Sequence, residues 1–125
     1  MSKRKLISKE LREQVYLKYS KRCAYCGEFI SIKQMQVDHF APVYLFGDNI
    51  KFENLMPACR SCNLYKSTLT IEKFREQLSQ IPFRLSRDVT IYNIAKRFNL
   101  IKENYEPIEF YFEKVQREAK IKERS

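Results

Sequence analysis

The 125-residue chain has no run of about 18 apolar residues, so nothing in it reads as a membrane span. Its start, Met1-Ser2-Lys3-Arg4-Lys5, lacks the apolar stretch and small-residue cleavage site of a secretory leader. A cytoplasmic protein with no membrane partner is the expectation. Internal repeats and low-complexity linkers are also missing, which leaves one domain at the usual size. Histidine occurs once, at position 39, so any chemistry that needs an imidazole has a single candidate.

What is present is basic. Lys and Arg number 24 against 15 Asp and Glu, a formal charge of +9. Residues 1–22 hold eight basic and two acidic side chains, residues 23–67 four of each, and residues 68–125 twelve against nine. Basic flanks around a neutral middle are the electrostatic footprint of a polyanion binder. Nucleic acid is favoured over a membrane surface, because no basic amphipathic helix of the membrane type stands out.

Four cysteines form two C-x-x-C pairs, Cys23/Cys26 and Cys59/Cys62. In a reducing compartment this spacing favours one structural Zn²⁺ over two disulfides, and a modest core benefits from such a staple. Gly27 supplies the tight turn that lets the first pair reach one ion.

Ser8 is a good N-cap, and Leu11, Val15 and Tyr19 recur at helical spacing, predicting a helix over 9–20. Its other face holds Lys9, Arg12 and Lys18, which suit either solvent or phosphate. Met35 to Phe40 alternates like a short strand that Pro42 ends, and 55–58 is a second strand leading into Cys59. Between them lie the apolar 43–46 and a turn at 47–49. Residues 60–67 read as a short helix. Further on, Ile71, Phe74 and Leu78 mark a helix capped by Thr70 and ended by Pro82. Ile91, Ile94, Ala95 and Phe98 mark another, and both stripes read as core. Ile108, Phe110 and Phe112 alternate as a strand would, before a charged end. The fragment 94–100 has the flavour of a helix-turn-helix, but the recognition helix is replaced by Glu106-Pro107 and that strand signal.

Thirty-two residues separate Cys26 from Cys59, more than a simple zinc ribbon needs. The insertion holds Asp38-His39, Pro42 and Asn54-Leu55, and Asn63 and Lys66 follow the second pair. These residues, from Cys23 to Ser67, resemble the HNH endonuclease family. The resemblance implies an α+β fold: a ββα-metal, treble-clef-like core over 23–67. Around it the sequence places a basic N-terminal helix in 1–22 and a helical C-terminal extension over 68–125 ending in a short strand.

The resemblance also implies a metal-dependent endonuclease that hydrolyses DNA phosphodiester bonds, nicking or cutting both strands, with 5′-phosphate and 3′-hydroxyl products. Its general base is His39, and imidazole is the side chain suited to taking a proton near neutral pH. Asp38 and Asn63 are the carried-over ligands of a catalytic Mg²⁺ or Mn²⁺, a hard cation served by oxygen. Asn54 orients the histidine by hydrogen bonds. Asn63 stands where many members have histidine, which makes nitrogen-preferring metals less favoured. Because four thiolates around Zn²⁺ leave a charge near −2, phosphate falls to the second cation and to Arg60 and Lys66. On the same fold, a zinc-dependent nucleic-acid-binding protein without turnover is the alternative. A chain this short leaves room for a protein partner or a homodimer to supply specificity.

Overall fold

The computed structural model describes residues 6–43, 47 and 49–124. It divides into two compact units, Met1–Ile71 with Glu109–Ser125, and Glu72–Ile108. The stretch 68–125, one extension by sequence, therefore contributes to both.

In the first unit, helix α1 spans Lys9–Leu17, three residues shorter than its periodicity suggests. Ser8 caps it as expected, its hydroxyl accepting from the Leu11 N–H at 3.1 Å. The helix stops because Ser20 and Lys21 both take positive φ, 57° and 66°, turning the chain into the first cysteine pair. Strands β1 (Gln36–His39) and β2 (Leu55–Ala58) pair antiparallel, with His39 opposite Leu55 and Val37 opposite Pro57. Helix α2 (Arg60–Lys66) follows at once, so strand, strand and short helix come in the expected order. The apolar 43–46 and the turn at 47–49 lie largely outside the described residues.

Val15, Met35 and Leu55 form the buried cluster of this unit, with Ile7, Leu11, Tyr16, Ile30 and Val37 packed against it. At about 1.5–3 kcal/mol per buried apolar side chain, so small a core depends on other ties. Cations provide several. The Arg12 guanidinium donates to the carbonyls of Ile32 and Met35 at 2.7 and 2.8 Å. Lys18 donates to the carbonyls of Phe52 and Leu55, both at 2.9 Å. Arg22 donates to the Gly27 carbonyl at 2.7 Å and lies 3.6 Å from the Phe29 ring centre. Arg12 and Lys18, read from sequence as solvent-facing or phosphate contacts, are thus spent on backbone carbonyls.

The strand expected near 108–112 is a helix instead: α6 spans Tyr111–Arg124. Its start explains the difference. The Glu113 carboxylate accepts from the Phe110 N–H at 2.9 Å, one half of a capping box. The Tyr111 and Phe112 N–H groups, which have no partner inside a helix, donate to the carbonyls of Tyr25 and Ala24 at 3.1 and 2.8 Å. Alternation of Phe110 and Phe112 reflects two rings stacked at 6.0 Å at a helix entrance, both buried, and not a pleat.

The second unit contains α4 (Ile81–Asp88) and α5 (Thr90–Arg97), and α3 (Ile71–Ser79) runs into it from its first residue. Pro82, expected to end a segment, lies in the first turn of α4, where a missing N–H costs nothing. The stripe Ile91, Ile94 and Phe98 is not core: Ile91 and Phe98 are each 72% exposed. Tyr92 is buried instead, on the face of α5 that turns toward Glu103, which accepts from Tyr92 and Lys96, both at 2.9 Å, while Phe74 of the α3 stripe is buried as expected.

Candidate active site

The cysteine pairs come together. All four Sγ atoms lie within 4.8 Å of one another, and Cys26 and Cys59 are 3.8 Å apart. Four sulfurs at about 2.3 Å from a tetrahedral Zn²⁺ would be separated by about 3.8 Å, so the donor set and its spacing fit zinc. Backbone N–H groups already face the sulfurs: Tyr25 donates to Cys23, and Cys62 to Cys59, both at 3.4 Å. The thiols cannot all ionise alone. Cys23 is held down to about 5, foremost by its hydrogen bond with Cys62, which pushes Cys62 far up in return; burial chiefly pushes Cys26 up to about 11. A cation is what lets four crowded sulfurs lose their protons together. Gly27 has φ +80°, and a Cβ there would meet the Tyr111 ring at 3.2 Å, so the knuckle needs glycine twice over.

Adjacent strand residues face opposite ways, which would separate Asp38 from His39. The strand ends at His39, however, and Asn54 turns the chain there. Its backbone carbonyl accepts from the Phe40 N–H at 2.8 Å, and its side-chain oxygen accepts from the Ala41 N–H at 2.8 Å. Its amide nitrogen donates to the Asn49 carbonyl at 2.9 Å. Asn54 is thus buried as a clamp on the loop that follows His39. As a result Asp38, His39 and Asn63 line one pocket of about 190 Å³, with Pro42, Ser67 and Thr68 on its wall.

Asp38 is buried and doubly held. Its Oδ2 accepts from the Tyr25 hydroxyl at 2.5 Å and pairs with the Lys66 ammonium at 2.9 Å. Lys66 has 0% side-chain exposure and also donates to the His39 carbonyl at 3.3 Å. It does not stand where a phosphate could reach it, as the sequence reading supposed: the last turn of α2 points its stem into the core, where Asp38 is the carboxylate within reach. Arg60, at the opposite end of α2, is exposed. Burial above all, then the charge of Asp38, pushes the Tyr25 phenol well above its ordinary range, so it remains a donor.

Sequence reasoning missed Tyr25, Ser67 and Thr68. Tyr25 sits inside a C-x-x-C whose outer residues draw the attention. Ser67 left one trace, its position just after the second knuckle helix, where it ends α2 with φ +49°. The larger cavity of about 800 Å³ belongs to the second unit, where Arg75 pairs with Glu72 and Lys96 with Glu103. Neither cysteine nor histidine lines it.

A two-stranded antiparallel sheet, a following helix and a four-cysteine cluster whose spacing fits Zn²⁺ agree with the ββα-metal fold. Comparison with known proteins agrees: the HNH endonuclease family model matches residues 23–68. Among solved structures the chain is similar to the Type II-C Cas9 enzyme from Actinomyces naeslundii, at 28% identity and a TM-score of 0.51 over 61% of this chain. It spans only 8% of that enzyme's length. No curated protein matches it. The family match is confined to residues 23–68, the segment that holds both cysteine pairs and the pocket residues Asp38, His39 and Asn63.

Proposed function

We propose that this segment hydrolyses phosphodiester bonds of DNA. The observation that carries the reading is the convergence of Asp38, His39 and Asn63 on one pocket. His39, at the strand end, takes the proton of the attacking water. Asp38 and Asn63 offer oxygen donors of the kind that hold Mg²⁺ or Mn²⁺, and such an ion stabilises charge on the phosphate and on the leaving oxygen.

The remaining parts follow from the pairings. Lys66 offsets the charge of Asp38, so the pocket does not repel an approaching phosphate. Lys66 therefore serves the substrate through Asp38, while Arg60, exposed at the start of α2, is a cation open to a DNA backbone. Asn54 keeps His39 at the pocket by holding the loop beyond it. The basic surplus supplies non-specific attraction to the polyanion.

The test is cleavage of supercoiled plasmid by the zinc-loaded chain in Mg²⁺ or Mn²⁺. His39→Ala should lower the rate by about 10²–10⁴-fold, the usual worth of a general base, without moving the melting temperature. Equal cutting by His39→Ala would sink the assignment, and binding without metal-stimulated cleavage would point to a non-catalytic nucleic-acid binder.

A further inference from the structure

Oδ2 of Asp38 is saturated. An ionised carboxylate oxygen has about two acceptor sites, and here both are filled, one by the Tyr25 hydroxyl at 2.5 Å and one by the Lys66 ammonium at 2.9 Å. The two donors come from different elements. Lys66 belongs to α2, whereas Tyr25 lies between Cys23 and Cys26. Its backbone is fixed there on several sides: its N–H donates to Cys23 Sγ at 3.4 Å, its carbonyl accepts from Tyr111 at 3.1 Å, and the neighbouring Ala24 N–H donates to the Pro57 carbonyl at 2.8 Å. Its ring is held edge-on by Phe110 and Phe112, with centres 5.7 and 6.2 Å away. A hydroxyl on so rigid a mount has one direction to point.

We infer that Tyr25 is a positioning residue that locks the Asp38 carboxylate from within the zinc knuckle, reserving Oδ1 for the catalytic divalent ion. This rests on the reading of Asp38 as an ion ligand given above. Without the hydroxyl, the carboxylate is restrained by Lys66 alone and can rotate about its last torsion, a broad, soft coordinate. Partners that orient a metal ligand are typically worth 10–100-fold in metal affinity. The placement also gives the cysteine cluster a second task. A knuckle that loosens on zinc loss releases Tyr25, and with it the carboxylate, so the structural ion conditions the affinity for the catalytic one through a single side chain.

Tyr25→Phe removes the oxygen and keeps the ring that packs on Phe110 and Phe112. Mn²⁺ binding is to be followed by electron paramagnetic resonance on the full zinc-loaded chain with a duplex DNA, in a His39→Ala background so that the duplex stays intact. The expected result is a half-saturating Mn²⁺ concentration about tenfold higher with Tyr25→Phe, at one zinc per chain and an unchanged melting temperature. The same Mn²⁺ saturation in both proteins overturns the inference. So does a loss of zinc together with Mn²⁺, because Tyr25 would then be serving the knuckle alone, and so does a His39→Ala protein that binds no Mn²⁺. Failure of the nuclease reading shows elsewhere, in undiminished plasmid cutting by His39→Ala, and leaves the Mn²⁺ comparison standing.

Discussion

The two units use their cations differently. In the zinc unit Arg12, Lys18 and Arg22 donate to backbone carbonyls, and buried Lys66 reaches a carboxylate and a carbonyl. Within 72–108 cations turn to carboxylates: Lys96 to Glu103, Arg87 to Asp88, Arg75 to Glu72 and Lys73 to Glu76. Backbone explains the contrast. Helices satisfy their own carbonyls, so cations within the helical 72–108 turn to side chains, whereas residues 18–35 and 40–54 hold little regular structure and offer carbonyls even to Arg12 on helix α1. Crossovers run both ways: Arg75 also donates to the carbonyl of Ile108, in the irregular chain that closes its unit, and Arg117 on helix α6 of the first unit pairs with Glu109. The candidate site lies in the unit with less secondary structure, where fewer polar groups are spent on helices and ladders.

The largest way to break this comparison is through the staple. If the zinc unit depends on its ties, Cys59→Ser or chelation should remove its cooperative melt altogether. Structural zinc is commonly worth about 10–16 kcal/mol, as much as a whole domain's stability. An undiminished melting temperature with one zinc still bound would refute that dependence.

Next comes the buried pair. Lys66→Met leaves the Asp38 charge buried without its cation, which should cost about 3–5 kcal/mol in urea denaturation. A loss below about 1 kcal/mol would place Lys66 with ordinary surface ion pairs. The smallest effect belongs to the other unit. Hydrogen bonds from Tyr105 first, then Lys96 and Tyr92, hold the Glu103 carboxyl down to about 2 from an ordinary 4.5. A depressed folded-state value means a contribution complete above about pH 4.5 and lost as pH falls through about 2. Glu103→Gln should therefore be less stable than wild type at pH 6, with the gap closing by pH 2. A gap independent of pH would mean that shape, not charge, matters at that position.

Most of the ββα core was legible in the sequence because its signals are local. Spacing within each C-x-x-C, Pro42 after the strand and Ser8 before α1 each act over a few residues. Resemblance singled out Asp38, His39 and Asn63, which the fold brings to one pocket, although strand periodicity alone argued against Asp38 and His39 sharing a face. What could not be read was long-range. Nothing near Tyr25 announces Asp38, thirteen positions away, and nothing near Phe110 announces the Tyr25 ring. Lys66 looked like any exposed helical lysine, because its burial is decided by Asp38 across the fold. The stripe on α5 was misjudged for a related reason: helical spacing shows that a face exists and does not show which face turns inward.

The start of α6 on the Ala24 and Tyr25 carbonyls carries a lesson in topology. A motif that looks self-contained between Cys23 and Lys66 is closed by residues more than forty positions downstream, so a minimal fragment ending near residue 71 would leave the first knuckle without its rings. Seen along the chain, 72–108 interrupts the unit that holds the candidate site, and its two junctions are where this chain could be lengthened, shortened or exchanged while that unit keeps its support.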